Sequence, residues 1–451
     1  MTKANDNSDR RSFLRTASTA IAATTIVARS VAAEDSAISS DKIPNVHAGS
    51  DSIRVGLVGC GGRGSGAAIN AMDAGPDVKI VAVGDLFDDS IQSSRKGLTA
   101  QRPDQFLVDD DHVFVGFDAY KKVIDSDIDV VLLATPPYYR PDHIEYAVAA
   151  GKHIFAEKPI ATDPYGVRRV EAACLEADAK GLNVVSGLCW RYDEGIRQTV
   201  QKIKDGAIGE IISTQANYLA TPLWIKTRRP DETEMQYHCR NWYYYTWLSG
   251  DHCVEQFIHS LDKAMWLRDD VTPVKAYGMG GRTLRNDVTQ GNIYDHFAIV
   301  YEWADGTRTH AYTRQIAGCM TETEDHIFGT DGTAKLIAHK IEGKNPWQYS
   351  GQHNGMYEQE HVELFDAIRG KRERINNASY MCRSTMMAIL GREVCYSGKE
   401  LTYDEVANSP MQLGPEKLDW DQVVESKIAI PGKYRFPIAT TAPASKTSSA
   451  S

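Results

Sequence analysis

Cysteine is scarce and unpatterned in this 451-residue chain. Eight occur, at Cys60, Cys174, Cys189, Cys239, Cys253, Cys319, Cys382 and Cys395, and no two stand in C-x-x-C spacing. That removes the zinc-ribbon and dithiol redox classes. His252, His326, His353 and His361 are equally dispersed, with no metal-ligand spacing, so no metal site is expected. A basic excess is missing too. The net charge is −10, which argues against a nucleic-acid or anionic-membrane partner, since both need a basic surface. No apolar run of about 18 residues, the length that crosses a bilayer, follows the N-terminal segment. What remains is ordinary: 42% hydrophobic and 24% charged, with enough chain to bury a large core and form two domains.

Residues 1–33 read as a targeting segment. Arg10-Arg11-Ser12-Phe13-Leu14-Arg15 is a twin-arginine signature, with Asp9 where Ser or Thr is usual. The Ala/Thr-rich run Ala17–Ala28 follows, then small residues Ser30-Val31-Ala32-Ala33 suited to cleavage. The expected location is therefore periplasmic or otherwise exported. The twin-arginine route carries proteins that fold first, which suits one loaded with its cofactor in the cytoplasm and retaining it tightly. Folding there also makes essential disulfides unexpected. Polar residues 34–52 form a linker or an arm; composition leaves the choice open.

The stretch Ile53–Gly64 carries the strongest signal. An apolar strand runs into Gly59, Gly61, Gly62, Arg63 and Gly64, and Ser65–Ala74 reads as a helix. The G-x-G-x-x-G spacing supplies a tight turn, a close backbone approach to a pyrophosphate, and close helix–strand packing. The anion would sit on the helix N-terminus. Asp85 ends the second strand, Val78–Val83. A carboxylate there accepts hydrogen bonds from ribose hydroxyls and repels a 2′-phosphate, and no cation follows it, so NAD is preferred over NADP. Strands and helices alternate through residues 53–188, which predicts a doubly wound parallel sheet with its ligand beyond the strand C-termini. Thr135-Pro136 and Glu157-Lys158 follow the fourth and fifth strands and are expected on the cofactor.

Residues 189–438 change texture. Long alternating stretches such as Val274–Gly278, His296–Glu302 and Thr307–Thr313 predict a second α/β domain with a large open, mainly antiparallel sheet. A two-helix segment, Glu358–Gly370 and Ser379–Ser397, closes it. Residues 439–451 are low-complexity and read as disordered. His259 is a natural general base, its ordinary pKa lying near working pH. Glu255 stands four residues before it, on one face of a helix. The run Trp242-Tyr243-Tyr244-Tyr245-Thr246-Trp247, preceded by Arg240-Asn241, offers flat rings and polar tips for a sugar. Arg191, Arg240, Trp242, Tyr244, Tyr245 and Asp262 are the expected substrate contacts.

The glycine loop, the Thr135-Pro136 strand end, the Glu157-Lys158-Pro159 triplet, the helix-borne Glu255–Asp262 and the phrase Lys204–Ile211 together resemble the Gfo/Idh/MocA oxidoreductase family, over roughly Ile53 to Gly398. The resemblance implies a Rossmann domain and an open-sheet domain facing the nicotinamide. It also implies sugars or cyclitols as substrates, a lysine (Lys158) on the reacting hydroxyl, and a homo-oligomer formed through the open sheet. Two departures stand out. Glu255 replaces the family's first Asp in D-x-x-x-H-x-x-D, and the T-P-N-x-x-H stretch is longer here, running from Thr135 to His143, read as a helix-opening residue.

The expected function is an exported NAD-dependent oxidoreductase acting on a sugar, glycoside or cyclitol. A closed redox cycle between two sugars fits, as in the family's glucose–fructose oxidoreductase branch. An alternative is an NAD-retaining glycosidase or lyase that oxidises the sugar transiently. A third, from another class, is a non-catalytic NAD-containing binding or sensing protein.

Overall fold

The computed structural model describes residues 52–439. The twin-arginine segment, nearly all of the linker and the tail beyond residue 439 lie outside the described residues. No helix among the described residues is long and apolar enough to cross a membrane.

The first sheet contains β1 (Ile53–Val58), β2 (Val78–Asp85), β3 (Val113–Val115), β4 (Val130–Leu133), β5 (His153–Ala156) and β6 (Val184–Ser186), all parallel, in the order β3-β2-β1-β4-β5-β6. β4 and β5 are buried at every position, the pattern of strands covered on both faces. Strand order reverses between β1 and β4, which opens a crevice at their C-terminal ends, where ligands bind in such sheets. Leu133 of β4 pairs with Ala156 of β5. Thr135-Pro136 and Glu157-Lys158 therefore leave the sheet side by side.

The second sheet holds nine strands: β7 (Ile211–Ala220), β8 (Lys275–Gly281), β9 (His296–Glu302), β10 (Arg308–Gln315), β11 (Asp325–Gly329), β12 (Gly332–Lys335), β13 (Lys340–Gly343), β14 (Trp347–Gln348) and β15 (Leu401–Thr402). Their order is β14-β13-β12-β11-β7-β10-β9-β8-β15. All pairs are antiparallel except β7 with β10, at the centre. Alternation is strict in β9 and β10. One face, with Phe297, Ile299, Tyr301 and Ala311, packs with the helix Ala378–Ser397 into one core, and Tyr301 donates to the Met387 carbonyl at 3.1 Å. The other face stays open, with Tyr277, Met279, Tyr312 and Phe328 exposed. Period-two patterning of this kind is what a sheet covered on one side requires.

Of the two-helix segment only the second helix closes the second domain as the sequence suggests. Its first helix, Met356–Ile368, sends Leu364 and Phe365 into the core built by β1, β2 and the helix Gly62–Asp73, so it buttresses the parallel sheet. Beyond the helix Tyr403–Ala407 the chain runs without regular structure back to that sheet. There the Leu413 N–H bonds Asp163 at 2.8 Å, the Tyr138 hydroxyl donates to the Pro415 carbonyl at 3.2 Å, and the Trp420 ring lies tilted 4.3 Å from Phe117.

Candidate active site

The glycine loop forms the floor of a cleft of about 750 Å³. Gly59 has φ +97°, and a Cβ on it would lie 2.7 Å from the Ala134 carbonyl carbon. A Cβ on Gly64 would lie 1.8 Å from the Gly59 oxygen. Only glycine satisfies both positions. Gly61 and Gly62 instead face open space, with nothing within 4 Å of a Cβ. The 12-residue helix Gly62–Asp73 starts there with no side-chain cap, leaving its first N–H groups for an anion. This cradle fits a dinucleotide pyrophosphate.

Asp85 sits at the next strand end and is tied into the loop. Its carboxylate accepts from the backbone N–H of Cys60 at 2.7 Å and of Phe87 at 3.0 Å. Burial pushes this carboxyl above its ordinary value, and the backbone donors work against that rise. Thr135, Pro136 and His143 line the same cleft. His143 is buried at the helix Arg140–Ala149, its ring 4.1 Å from Tyr120 and its Nδ1 3.3 Å from the Thr135 hydroxyl; burial, then the Arg140 charge, hold its pKa down at about 3.

One strand over, beyond the cleft's lining, Lys158 donates to the Glu255 carboxylate at 2.7 Å and to its backbone carbonyl at 2.5 Å. Both side chains are 12% exposed. Glu157 turns the other way and pairs with Arg63 of the glycine loop, which also reaches Glu360 at 3.2 Å. Burial, then the Glu157 charge, raise the Glu360 carboxyl well above its usual range. His259 has its Nδ1 buried with no protein partner. Burial first, and then the charges of Lys158, Lys263 and Arg63, hold its pKa well below the ordinary value. The ring is therefore neutral at working pH. Lys158, Glu255 and neutral His259 form one cluster at the C-terminal ends of the parallel strands.

The continuous helix expected across this segment is broken. His252–Glu255 and Ile258–Trp266 are separate helices, and the Phe257 N–H reaches back five residues to the His252 carbonyl. Glu255 and His259 do not share one regular helix face. The break frees the Glu255 carbonyl to take the Lys158 ammonium.

Four of the six expected substrate contacts belong elsewhere. Arg191 and Asp262 bond each other at 2.8–2.9 Å, Asp270 accepts from Nη2 at 2.5 Å and Nη1 at 3.2 Å, and Ser384 donates to Asp262 at 2.7 Å. Tyr380 covers the guanidinium at 3.8 Å. Tyr244 is buried and donates to the Leu223 carbonyl at 2.9 Å, while Tyr245 stacks 3.6 Å from His238. Each is closed off by its own neighbours. Arg240 and Trp242 do reach a cleft, but it is the dinucleotide cleft.

Tyr243 is the ring of this run that turns toward Glu255. Burial and then the Glu255 charge keep its hydroxyl protonated, and it accepts from Gln315 Nε2 at 2.7 Å. Gln315 also donates to Gln256 at 2.8 Å. Tyr218 feels burial and Glu255 likewise, its pKa pushed up to about 12. One signal in the sequence could have found Gln315: it is a polar residue at an inward position of β10, in register with Thr309, Ala311 and Thr313. Nothing local distinguishes Tyr243 from its neighbours.

Residues 53–185 match the family model described as an oxidoreductase family with an NAD-binding Rossmann fold, and residues 196–335 match the GFO/IDH/MocA C-terminal domain. The chain belongs to the Gfo/Idh/MocA oxidoreductase family. It is thus an enzyme of an NAD(P)-dependent oxidoreductase family. Among relatives, the inositol 2-dehydrogenase of Cereibacter sphaeroides is 28% identical over 294 residues, covering 63% of this chain and 73% of that protein. The dTDP-3,4-didehydro-2,6-dideoxy-alpha-D-glucose 3-reductase of Actinomadura kijaniata is 27% identical over 176 residues, 39% of this chain; the match spans only about half (48%) of that relative. The scyllo-inositol dehydrogenase of Lactobacillus casei, solved with NAD(H) and scyllo-inositol, superposes with a TM-score of 0.61 at 18% identity, covering 78% of this chain and 99% of that one. That likeness establishes the shared Gfo/Idh/MocA fold.

Proposed function

We propose that this protein is an exported, NAD-dependent oxidoreductase of a sugar or cyclitol hydroxyl that holds its cofactor tightly and works as a homo-oligomer. The observation that carries the reading is the Lys158–Glu255 pair beside neutral His259, two strands along from the glycine cradle. Inositol- and sugar-acting relatives support the substrate class.

NAD, held by the Gly59–Gly64 loop, Asp85 and the Thr135-Pro136 floor, supplies the hydride acceptor when bound. The residues of the chain do the rest. Lys158, already positioned by two Glu255 oxygens, has one ammonium hydrogen left for the substrate hydroxyl. That contact polarises the hydroxyl and stabilises developing alkoxide. His259 is neutral, so it can take the hydroxyl proton, but burial and the neighbouring cations make it a weaker base than the ordinary imidazole the sequence suggests. The cations that keep it neutral also favour the oxyanion. Glu255 and Tyr243 lie where ring hydroxyls of a polyol would find an acceptor and a donor.

Tight retention is supported by two segments: residues 221–240, which line the cleft from Trp224 to Arg240, and the C-terminal run, whose Trp420 packs on the cleft-lining rings of Phe87 and Phe117. Assembly is supported by the open face of the second sheet, where Tyr312, Ala298 and Met279 lie in register across β10, β9 and β8. Export rests on the twin-arginine signature alone. The test uses protein purified after export: a spectrum for bound dinucleotide, then a panel of cyclitols, aldoses and glycosides while the reduced-nicotinamide absorbance is followed. Reduction by a cyclitol or sugar is the expected result. Glycoside cleavage without lasting reduction would replace it with transient-oxidation chemistry, and a protein that binds no dinucleotide would end the reading.

A further inference from the structure

The chain between β7 and the run at Trp242 crosses the adenosine end of the dinucleotide cleft. Residues 221–233 lack regular structure, and the short helix Glu234–Arg240 follows, capped by Thr233. The Tyr244 hydroxyl anchors the segment through Leu223, and Asn241 does so by accepting from the Lys226 N–H at 3.0 Å. Two of its three arginines converge on one carboxylate, the third, Arg228, pairing with Glu234. Arg240 donates to Asp89 Oδ2 at 3.0 Å and Oδ1 at 3.1 Å, and Arg229 donates to Oδ2 at 2.7 Å. The Arg240 guanidinium also lies 3.8 Å from the Phe87 ring. Asp85, Phe87, Asp89, Arg229 and Arg240 all line the cleft, and the Asp89 charge bears on Asp85.

Two guanidinium groups at the ribose end are the usual equipment for a 2′-phosphate, which they can bind bidentately. Here Asp89 takes the Nη groups of both, while Glu232 of the same segment, 7% exposed, lies 2.7 Å from Arg240 Nε and leaves those Nη groups to Asp89. Resting on the NAD reading above, we propose that Asp89 is a specificity-determining residue: it withholds Arg229 and Arg240 from a 2′-phosphate, leaving Asp85 to receive a 2′-hydroxyl. Preference for NAD then depends on two acids with different jobs. Asp85 would meet the ribose directly, and Asp89 removes the positive charge that would otherwise favour NADP. The segment bearing the arginines is fixed by Tyr244 and Asn241, so it stays in place when Asp89 is shortened.

The test is a pair of dissociation constants, for NAD+ and NADP+, measured by calorimetry on the full chain freed of any co-purified dinucleotide. Asp89→Ala is expected to lower the NADP+-to-NAD+ ratio of dissociation constants by about tenfold or more, the gain from a charge-assisted contact released to a phosphate. Adding Arg229→Ala and Arg240→Ala to that variant is expected to abolish the gain. An unchanged ratio in Asp89→Ala overturns the proposal, as does a gain that survives loss of both arginines. If the parent chain binds neither dinucleotide, the NAD reading itself has failed, an outcome distinct from a parent that binds NAD+ and a variant with no altered ratio.

Discussion

Two buried ion pairs, Lys158–Glu255 and Arg191–Asp262, both draw their acid from the same stretch of chain, yet they are built differently. In the second, the guanidinium gives its hydrogens to two carboxylates, Asp262 also accepts from Ser384, and a tyrosine ring closes the face. Four of the five guanidinium hydrogens are taken, and both Asp262 oxygens accept. In the first, an ammonium with three hydrogens meets only the two oxygens of Glu255, and the neighbouring imidazole has a buried Nδ1 with no protein partner. Burial and charge are common to both. Unused hydrogen-bonding capacity is what separates a site from a staple, since a buried polar group without a partner is costly unless something else fills the role.

Substitution at each pair separates the two roles. Lys158→Met keeps the volume and removes the ammonium. Turnover of the best cyclitol or sugar per folded molecule is expected to fall about 10³-fold, as loss of an oxyanion-stabilising donor does, while NAD+ still binds; some stability is lost as well, because Glu255 is left enclosed without its partner. A drop in stability with activity retained would place Lys158 with the staples. Arg191→Ala inverts the pattern. It leaves Asp262 buried and unpaired, which costs about 3 kcal/mol or more of stability. Chemical denaturation should show that loss, with kcat per folded molecule near the parent value.

The pH profile sharpens the same contrast. An ordinary imidazole at pKa 6.5 that must be neutral for catalysis would lose about tenfold in kcat/KM by pH 5.5. The His259 pKa is displaced downward by burial and by Lys158, Lys263 and Arg63, so the neutral base persists as pH falls. The acid limb of kcat/KM should therefore lie below pH 6.5, with rates near flat through the window where a free histidine would titrate. In Lys158→Met one of those cations is gone, and the limb should move back up. A limb at pH 6.5 in the parent would mean that the imidazole is solvated and is not part of this cluster.

Most of the first domain was legible because its signals are local. The strand expected at Val78–Val83 is β2, Val78–Asp85, and the glycine loop announces itself by spacing. The conspicuous residues of the second domain were legible only by type. Sequence shows that Arg191 and Asp262 are chargeable; it does not show that they meet across 71 positions. The aromatic run shows three adjacent tyrosines but not the one-residue difference in direction that turns Tyr243 inward and leaves Tyr244 and Tyr245 in the support. The helix break after Glu255 has no local breaker, no Gly or Pro within residues 252–266. It accompanies Asp251, held at φ +71° by long-range bonds to Tyr294 and Tyr396.

Tyr243 tests where the boundary between staple and site falls. Its hydroxyl is buried like a staple and bonded to Gln315 Nε2 at 2.7 Å, but its surroundings include the Glu255 charge. Tyr243→Phe removes one acceptor from Gln315, whose other N–H keeps Gln256 at 2.8 Å, so the fold should lose only about 1 kcal/mol. If the hydroxyl also serves the substrate, KM should rise about fivefold with kcat nearly constant, the mark of binding shared by ground and transition states. A polyol lacking one ring hydroxyl should then show no difference between parent and variant. If KM is unmoved and only stability falls, Tyr243 belongs with Arg191, and the open part of the cluster is confined to Lys158, Glu255 and His259.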